Sequence, residues 1–154
     1  MRVEELIMIS NIDHHQMNGT IIRPDKVEKI VLFIHGMADH ETRYHDIAKH
    51  MAKHNALVLL PDLRGHGRSF VQGKRGYFSK SEGYFVMVRD LYQLVNQIRQ
   101  TYPVDVTIMG HSMGGLFALD YVKRYPRNIN KVIISGLPRN IPMTKVAKGI
   151  LSMV

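Results

Sequence analysis

Four short apolar runs constrain this chain more than anything else in it: "KIVLFIHG" at 29–36, "ALVLLPD" at 56–62, "DVTIMG" at 105–110 and "INKVIISG" at 129–136. A strand with one face in water alternates apolar and polar residues, whereas the continuous run "KIVLFIHG" fits a strand covered on both faces; "ALVLLPD" reads as the next buried strand, and "DVTIMG" and "INKVIISG" as two further strands. The intervening stretches carry helical spacing. "RYHDIAKHMAKHN" places Tyr44, Ile47, Ala48 and Met51 on one face, with Asn55 suited to end the helix. "SKSEGYFVMVRDLYQLVNQIRQTYP" opens with a capping box from Ser79 to Glu82 and repeats Phe85, Val88, Tyr92, Val95 and Arg99 at helical intervals before Pro103. "GGLFALDYVKRYP" predicts a third helix. Upstream, "RVEELIMIS" and "GTIIRPD" predict two short strands, with the turn expected through Asn18 and Gly19. Alternating strands and helices imply an α/β fold: a mostly parallel sheet of six strands, right-handed crossovers, and helices on both faces.

Composition narrows the function. A chain of 154 residues with 45% apolar content is long enough for one core and is not the composition of a disordered segment. "MRVEELIMIS" mixes charges into its apolar residues, unlike a signal peptide, and no later run reaches membrane-spanning length. The expectation is a cytoplasmic protein without stable membrane insertion. Absence of cysteine removes disulfides and thiolate chemistry. The net charge of +8 is spread along the chain with no nucleic-acid-binding motif beside it, so it reads as solvated surface rather than a nucleic-acid site.

Chemistry enters at "IMGHSMGG", 108–115, where Ser112 sits between Gly110 and Gly114 at a predicted strand-to-helix junction. A G-x-S-x-G in that context is a nucleophile elbow. The turn is tight enough that only glycine fits at Gly110 and Gly114, and the serine is pushed above the sheet. The helix that follows points its unpaired N–H groups at the same place, where they favour negative charge. A second loop, "FIHGMADHETRY", follows an earlier buried strand. An oxyanion hole needs one donor after the nucleophile and one from a neighbouring loop, so the backbone N–H groups of Met113 and Met37 are the candidates. Gly36, His111 and Gly115 are expected to support the two loops. The third, "PDLRGHGRS", turns sharply at Gly65 and Gly67 on the sheet edge where open parallel sheets place ligands.

In their order and spacing, "HGMADHETRY", "PDLRGHGRS" and "GHSMGG" resemble the α/β-hydrolases of the monoglyceride lipase and lysophospholipase group, also described as serine aminopeptidase-like. The resemblance runs from about Lys29 to about Pro138. It implies an α/β-hydrolase fold, Ser112 as nucleophile, Met37 and Met113 as oxyanion-hole donors, and hydrolysis of small-molecule or lipid carboxylic esters, typically acylglycerols or lysophospholipids. The reaction passes through an acyl-enzyme, without a metal or other cofactor. It also implies a cap after the sixth strand. Residues 139–154 look like its first helix, with Val146, Ala147, Ile150, Leu151 and Val154 on one face, leaving 1–138 as the amino-terminal part of the core.

The chain departs from the family after the serine. The family order is serine, then acid, then histidine. Beyond Ser112 there is one aspartate, no glutamate and no histidine. Asp120 lies along the elbow helix, where it cannot orient an imidazole above the sheet. Among the earlier histidines, His111 should diverge from Ser112, His35 suits a structural hydrogen bond, and His66 sits on the correct edge but is a weak candidate for the base. The remaining histidines do not form a metal site. His40 and His45 are five apart, about 140° off one another on a helix, and His50 and His54 are flanked by Lys49 and Lys53 with no carboxylate. "DHHQ" at Asp13 to Gln16 reads as a turn.

Two readings follow. One is a serine ester hydrolase truncated after the sixth strand, needing a complementary carboxyl-terminal segment and prone to self-association through its exposed sheet edge. The other is a non-catalytic binding or interaction module, which should blunt the apolar edge "KVIISG" and cap its last helix. The sequence does neither, which favours the first.

Overall fold

The computed structural model describes residues 1–70, 75–79 and 83–137. Its elements are β1 (Arg2–Ile9), β2 (Gln16–Arg23), β3 (Lys29–Ile34), a 3₁₀ turn (Glu41–Tyr44), α1 (His45–Ala52), β4 (Ala56–Pro61), α2 (Phe85–Thr101), β5 (Val106–His111), α3 (Met113–Arg124) and β6 (Ile129–Ser135). They form one sheet in the order β1-β2-β4-β3-β5-β6. The pairs from β4 to β6 are parallel, and β1–β2 and β2–β4 are antiparallel. The sheet is mostly parallel, as expected.

The unalternating apolar runs are explained by two cores. In β3, Ile30, Leu32 and Ile34 join a cluster with Val86, Leu91 and Val95 of α2 and Phe117 and Tyr121 of α3. Val31 and Phe33 point the other way, onto Ala48 and Ala52 of α1. Successive residues serve opposite faces, so neither face can be polar. The chain steps from β3 to β4 in one direction and from β5 to β6 in the other. Right-handed crossovers running in opposite directions place their helices on opposite faces, so the boundary between the adjacent strands β3 and β5 is the switch point of the sheet.

Three local expectations are corrected. Asn18 and Gly19 lie inside β2, not in a turn: a side chain at Gly19 would meet the backbone of Leu60 and Pro61, while the Asn18 side chain donates to the Arg68 carbonyl and its backbone N–H to Ser69 Oγ. The β1–β2 turn is instead at residues 11–15, where His14 takes φ 58. On the helices, Ile47, Phe85 and Tyr92 are exposed rather than core-facing. Val88 and Val95 are buried as expected, and the buried face of α2 is completed by Val86, Met87, Leu91 and Leu94. Finally, α2 begins at Phe85 behind Tyr84 with no side-chain cap, and Glu82 of the expected capping box lies outside the described residues. So does the expected cap helix at 139–154. Among the described residues no helix is long and apolar enough to cross a membrane.

Candidate active site

Ser112 occupies the single residue between β5 and α3, with φ 51 and ψ −115. A side chain in that region crowds its own backbone, at a cost of about 1–3 kcal/mol. The turn is held by its N–H, which donates to the Ser135 carbonyl at 2.9 Å, and by its carbonyl, which accepts from Gly115 N–H at 3.0 Å. A Cβ at Gly110 would lie less than 3.0 Å from the Gly114 carbonyl, and one at Gly114 less than 3.0 Å from the carbonyls of Ile34 and His35. The same two glycines thus close the elbow and seat α3 against the end of β3. At Gly115 the neighbour is the Ile134 side chain. Met113 is buried and is the first residue of α3, so its N–H has no carbonyl four residues back within the helix.

The loop after β3 meets this elbow. A Cβ on Gly36 would touch Ser112 Cβ and the His111 ring at 3.4 Å. Met37 exposes its side chain, and its N–H has no acceptor among the described residues. Among the described residues five non-glycine residues have positive φ: His14, Ala38, Asn55, Ser112 and Asn128. Asparagine and histidine are enriched in that conformation; alanine and serine are not. The two exceptions, Ala38 and Ser112, sit in the two loops that meet.

His35 is buried between these loops and the one after β4. Leu63 N–H donates to its Nε2 at 2.9 Å, and its Nδ1 lies 2.7 Å from the Gly36 carbonyl. A backbone N–H only donates, so Nε2 is the acceptor and Nδ1 carries the proton. Burial pushes its pKa down to about 4, with the nearby His66 ring adding to the effect. The ring is therefore neutral and engaged at both nitrogens.

The loop after β4 is held by charges that the sequence reading passed over. Asp62 is buried and accepts the N–H groups of Glu41 and Arg68, each at 2.9 Å, tying this loop to the one after β3. Arg64 is fully buried; its Nε donates to Asp90 at 2.5 Å, and its two terminal nitrogens to Asp13 at 2.6 and 2.7 Å. The guanidinium holds the Asp13 carboxyl below its ordinary pKa. One signal could have found this clamp: Asp90 lies among Val86, Met87, Leu91 and Leu94, and a carboxylate on an apolar helix face needs a buried partner.

The other candidates are placed as follows. His66 Nδ1 donates to the Arg64 carbonyl at 2.9 Å, and its ring centroid is 5.2 Å from that of His35. It lines a cleft of about 510 Å³ with Met37, Asp39, His40, Phe70 and Arg75, but Ser112 is not among the lining residues. Asp120 pairs with Arg124 on the exposed side of α3 at 2.8 Å. His45 pairs with Glu41, and the His50 and His54 rings meet edge to face at 5.1 Å. Among the described residues no group of three or more His, Asp or Glu is placed to hold a metal ion.

Residues 25–153 match the family model described as serine aminopeptidase, S33. The chain is 32% identical over 133 residues to the monoglyceride lipase of Rattus norvegicus, covering 85% of this chain and 42% of that protein. It is 35% identical over 107 residues to the monoacylglycerol lipase of Mycolicibacterium smegmatis, covering 70% of this chain and 37% of that protein. This chain therefore spans less than half the length of these relatives. Among solved structures it is similar to a thermostable carboxyl esterase from Bacillus coagulans in complex with glycerol, with a TM-score of 0.86 and 25% identity over 99% of this chain and 50% of that one. A monoglyceride lipase from Saccharomyces cerevisiae shares the fold at a TM-score of 0.71 and 20% identity, over 84% of this chain and 43% of that one. The sheet order, the strained serine after β5 and the family match over residues 25–153 lead to one conclusion: the chain belongs to the serine aminopeptidase S33 family of α/β-hydrolases.

Proposed function

We propose that this chain carries the nucleophile and oxyanion hole of a serine ester hydrolase acting on monoacylglycerol-like or lysophospholipid-like esters. One observation carries the reading: Ser112 is held at φ 51 on the first turn of α3, against a loop whose Met37 N–H has no acceptor among the described residues. In the proposed reaction Ser112 Oγ bonds to the acyl carbon as its proton passes to a base. The carbonyl oxygen takes the electron pair and is stabilised by the N–H groups of Met37 and Met113. Collapse expels the alcohol, which takes a proton from the base, and water then releases the acid by the same route. The base and its orienting acid come from outside these 154 residues. No histidine follows His111, and among the described residues no histidine ring is hydrogen-bonded to Ser112. We assign 1–138 to the amino-terminal part of the core and 139–154 to the start of a cap. The remaining segment would pair along β6, where Ile133 is 46% exposed.

The test is hydrolysis of a short-chain acyl ester by the purified chain, by its Ser112→Ala variant, and by the chain joined to the segment that follows it in longer relatives. Turnover only in the joined form, abolished by Ser112→Ala, is expected. Robust turnover by the isolated chain would place the base within it. No turnover in any form would favour a binding module.

A further inference from the structure

We infer that Arg75 selects the head group: it binds a phosphate on the alcohol side of the ester, so that this chain prefers single-chain acyl esters of a phosphorylated alcohol to neutral monoacylglycerols. The inference rests on the proposed roles of Ser112 and Met37. A Cβ on Gly36 would lie 3.4 Å from Ser112 Cβ, and Met37, the next residue, lines the cleft of about 510 Å³ that Arg75 also lines. An ester whose carbonyl oxygen sits at the Met37 N–H therefore has one of its two arms beside that cleft. The charge of the cleft decides which arm. An acyl chain laid there would strip water from a guanidinium and return no hydrogen bond, whereas a phosphate would return charge-assisted ones.

Neighbouring arginines have their counter-charges inside the protein. Arg43 lies 3.9 Å from Asp39, Arg64 binds Asp13 and Asp90, and Arg68 meets Glu5, Glu41 and Asp62. Arg75 is exposed and, among the described residues, has neither a carboxylate nor a hydrogen-bond acceptor. Its guanidinium carbon instead lies 5.5 Å from the centre of the Phe70 ring. A ring face attracts the cation without engaging its N–H groups, so the planar fork stays free to grip two oxygens of one phosphate. The other polar side chains of the cleft are already engaged. Asp39, the one carboxylate among the described lining residues, accepts the His40 N–H at 2.9 Å and the Tyr44 hydroxyl at 2.5 Å. His40 Nδ1 lies 2.7 Å from Thr42 Oγ1, and His66 Nδ1 donates to the Arg64 carbonyl. With Arg43 beside Asp39, the charge of Arg75 is left uncompensated in the cleft.

Two measurements test this, the first without catalysis. In nitrogen-15 NMR of this chain, glycerol 3-phosphate should shift the Arg75 Nε–H and the Gly76 amide, glycerol at the same concentration should not, and Arg75→Gln should abolish the response. In the form joined to the following segment, kcat/KM is compared for a short-chain monoacylglycerol and its phosphate monoester. Both are kept below micelle-forming concentration, so that attraction of charged aggregates to the basic surface plays no part. Arg75→Gln should lower the preference for the phosphate ester about 10-fold, the scale of one charge-assisted hydrogen bond at a partly exposed site. Arg127→Gln, which removes the same charge from an exposed position ahead of β6, should leave that preference as it is. Equal shifts with glycerol and glycerol 3-phosphate would overturn the inference. So would a phosphate response that survives Arg75→Gln, a wild-type preference for the neutral ester, or a preference that falls equally in the Arg75 and Arg127 variants and so reflects net charge alone. Absence of turnover in the joined form, or turnover surviving Ser112→Ala, would instead sink the hydrolase reading, while the titration would still decide the phosphate site.

Discussion

Replacing Ser112 by glycine should stabilise this protein relative to replacing it by alanine. Alanine keeps the Cβ and with it the strain at φ 51, ψ −115. It loses only a hydroxyl on a half-buried residue that makes no side-chain cap hydrogen bond, so its stability should stay within about 0.5 kcal/mol of wild type. Glycine releases strain of about 1–3 kcal/mol. It returns about 0.4–1 kcal/mol through the greater freedom of the unfolded chain. The difference leaves glycine ahead of alanine by about 1–2 kcal/mol, or roughly 2–8 °C in Tm for a chain of this size. With seven tyrosines and no tryptophan, urea unfolding followed by far-ultraviolet circular dichroism is the suitable assay, and equal m-values would show that only stability changed. A glycine variant no more stable than the alanine variant would refute the reasoning, because the strain would then not reside in that Cβ.

Three further outcomes are expected. Gly110→Ala and Gly114→Ala, each thrusting a Cβ at fixed backbone, should destabilise by about 3 kcal/mol, visible as a drop in Tm, while Gly36→Ala, with its neighbours at 3.4 Å, should cost less than about 1.5 kcal/mol. Arg64→Leu should cost about 3–5 kcal/mol by leaving Asp90 buried without its partner, and Arg64→Leu with Asp90→Leu should recover much of it in urea titrations. His35 has a folded pKa of about 4 against 6.5 ordinarily, so between those values the unfolded chain binds the extra proton. Its contribution, on the order of 3 kcal/mol, should be fully present above pH 6.5 and lost as pH falls toward 4, and His35→Asn should flatten that part of the stability profile.

β3 and β4 were legible because each is buried on both faces and so carries a continuous apolar run, whereas β5 alternates buried with half-buried residues and β6, at the sheet edge, has none fully buried. The elbow was legible for a related reason: Gly110 and Gly114 face backbone, and backbone contacts admit one residue type. What failed was legible chemistry with a second use. Asn-Gly at 18–19 is a strong turn signal, yet here Gly19 makes room for β4, and Asn18 reaches the Arg68 carbonyl and the Ser69 hydroxyl. Aromatic spacing on α2 pointed to the core at Tyr92, which instead stacks on Tyr125 at 3.8 Å near the surface. The Arg64 clamp escaped because its partners lie 51 and 26 residues away, and no local pattern encodes a pairing at that range.

That clamp bears on how the molecule breathes. Surface loops are usually the first parts of a protein to open, exchanging their amide hydrogens long before the core does. The 62–69 loop has no such independence. Lifting it would strip Arg64 from Asp90, a carboxylate sealed under α2, and the cost of that exposed mismatch approaches the cost of undocking the helix itself. The loop and α2 therefore open as one cooperative unit, and the amides of Leu63 and Gly65 should exchange at the slow rate of α2's interior rather than at the rate of a loop.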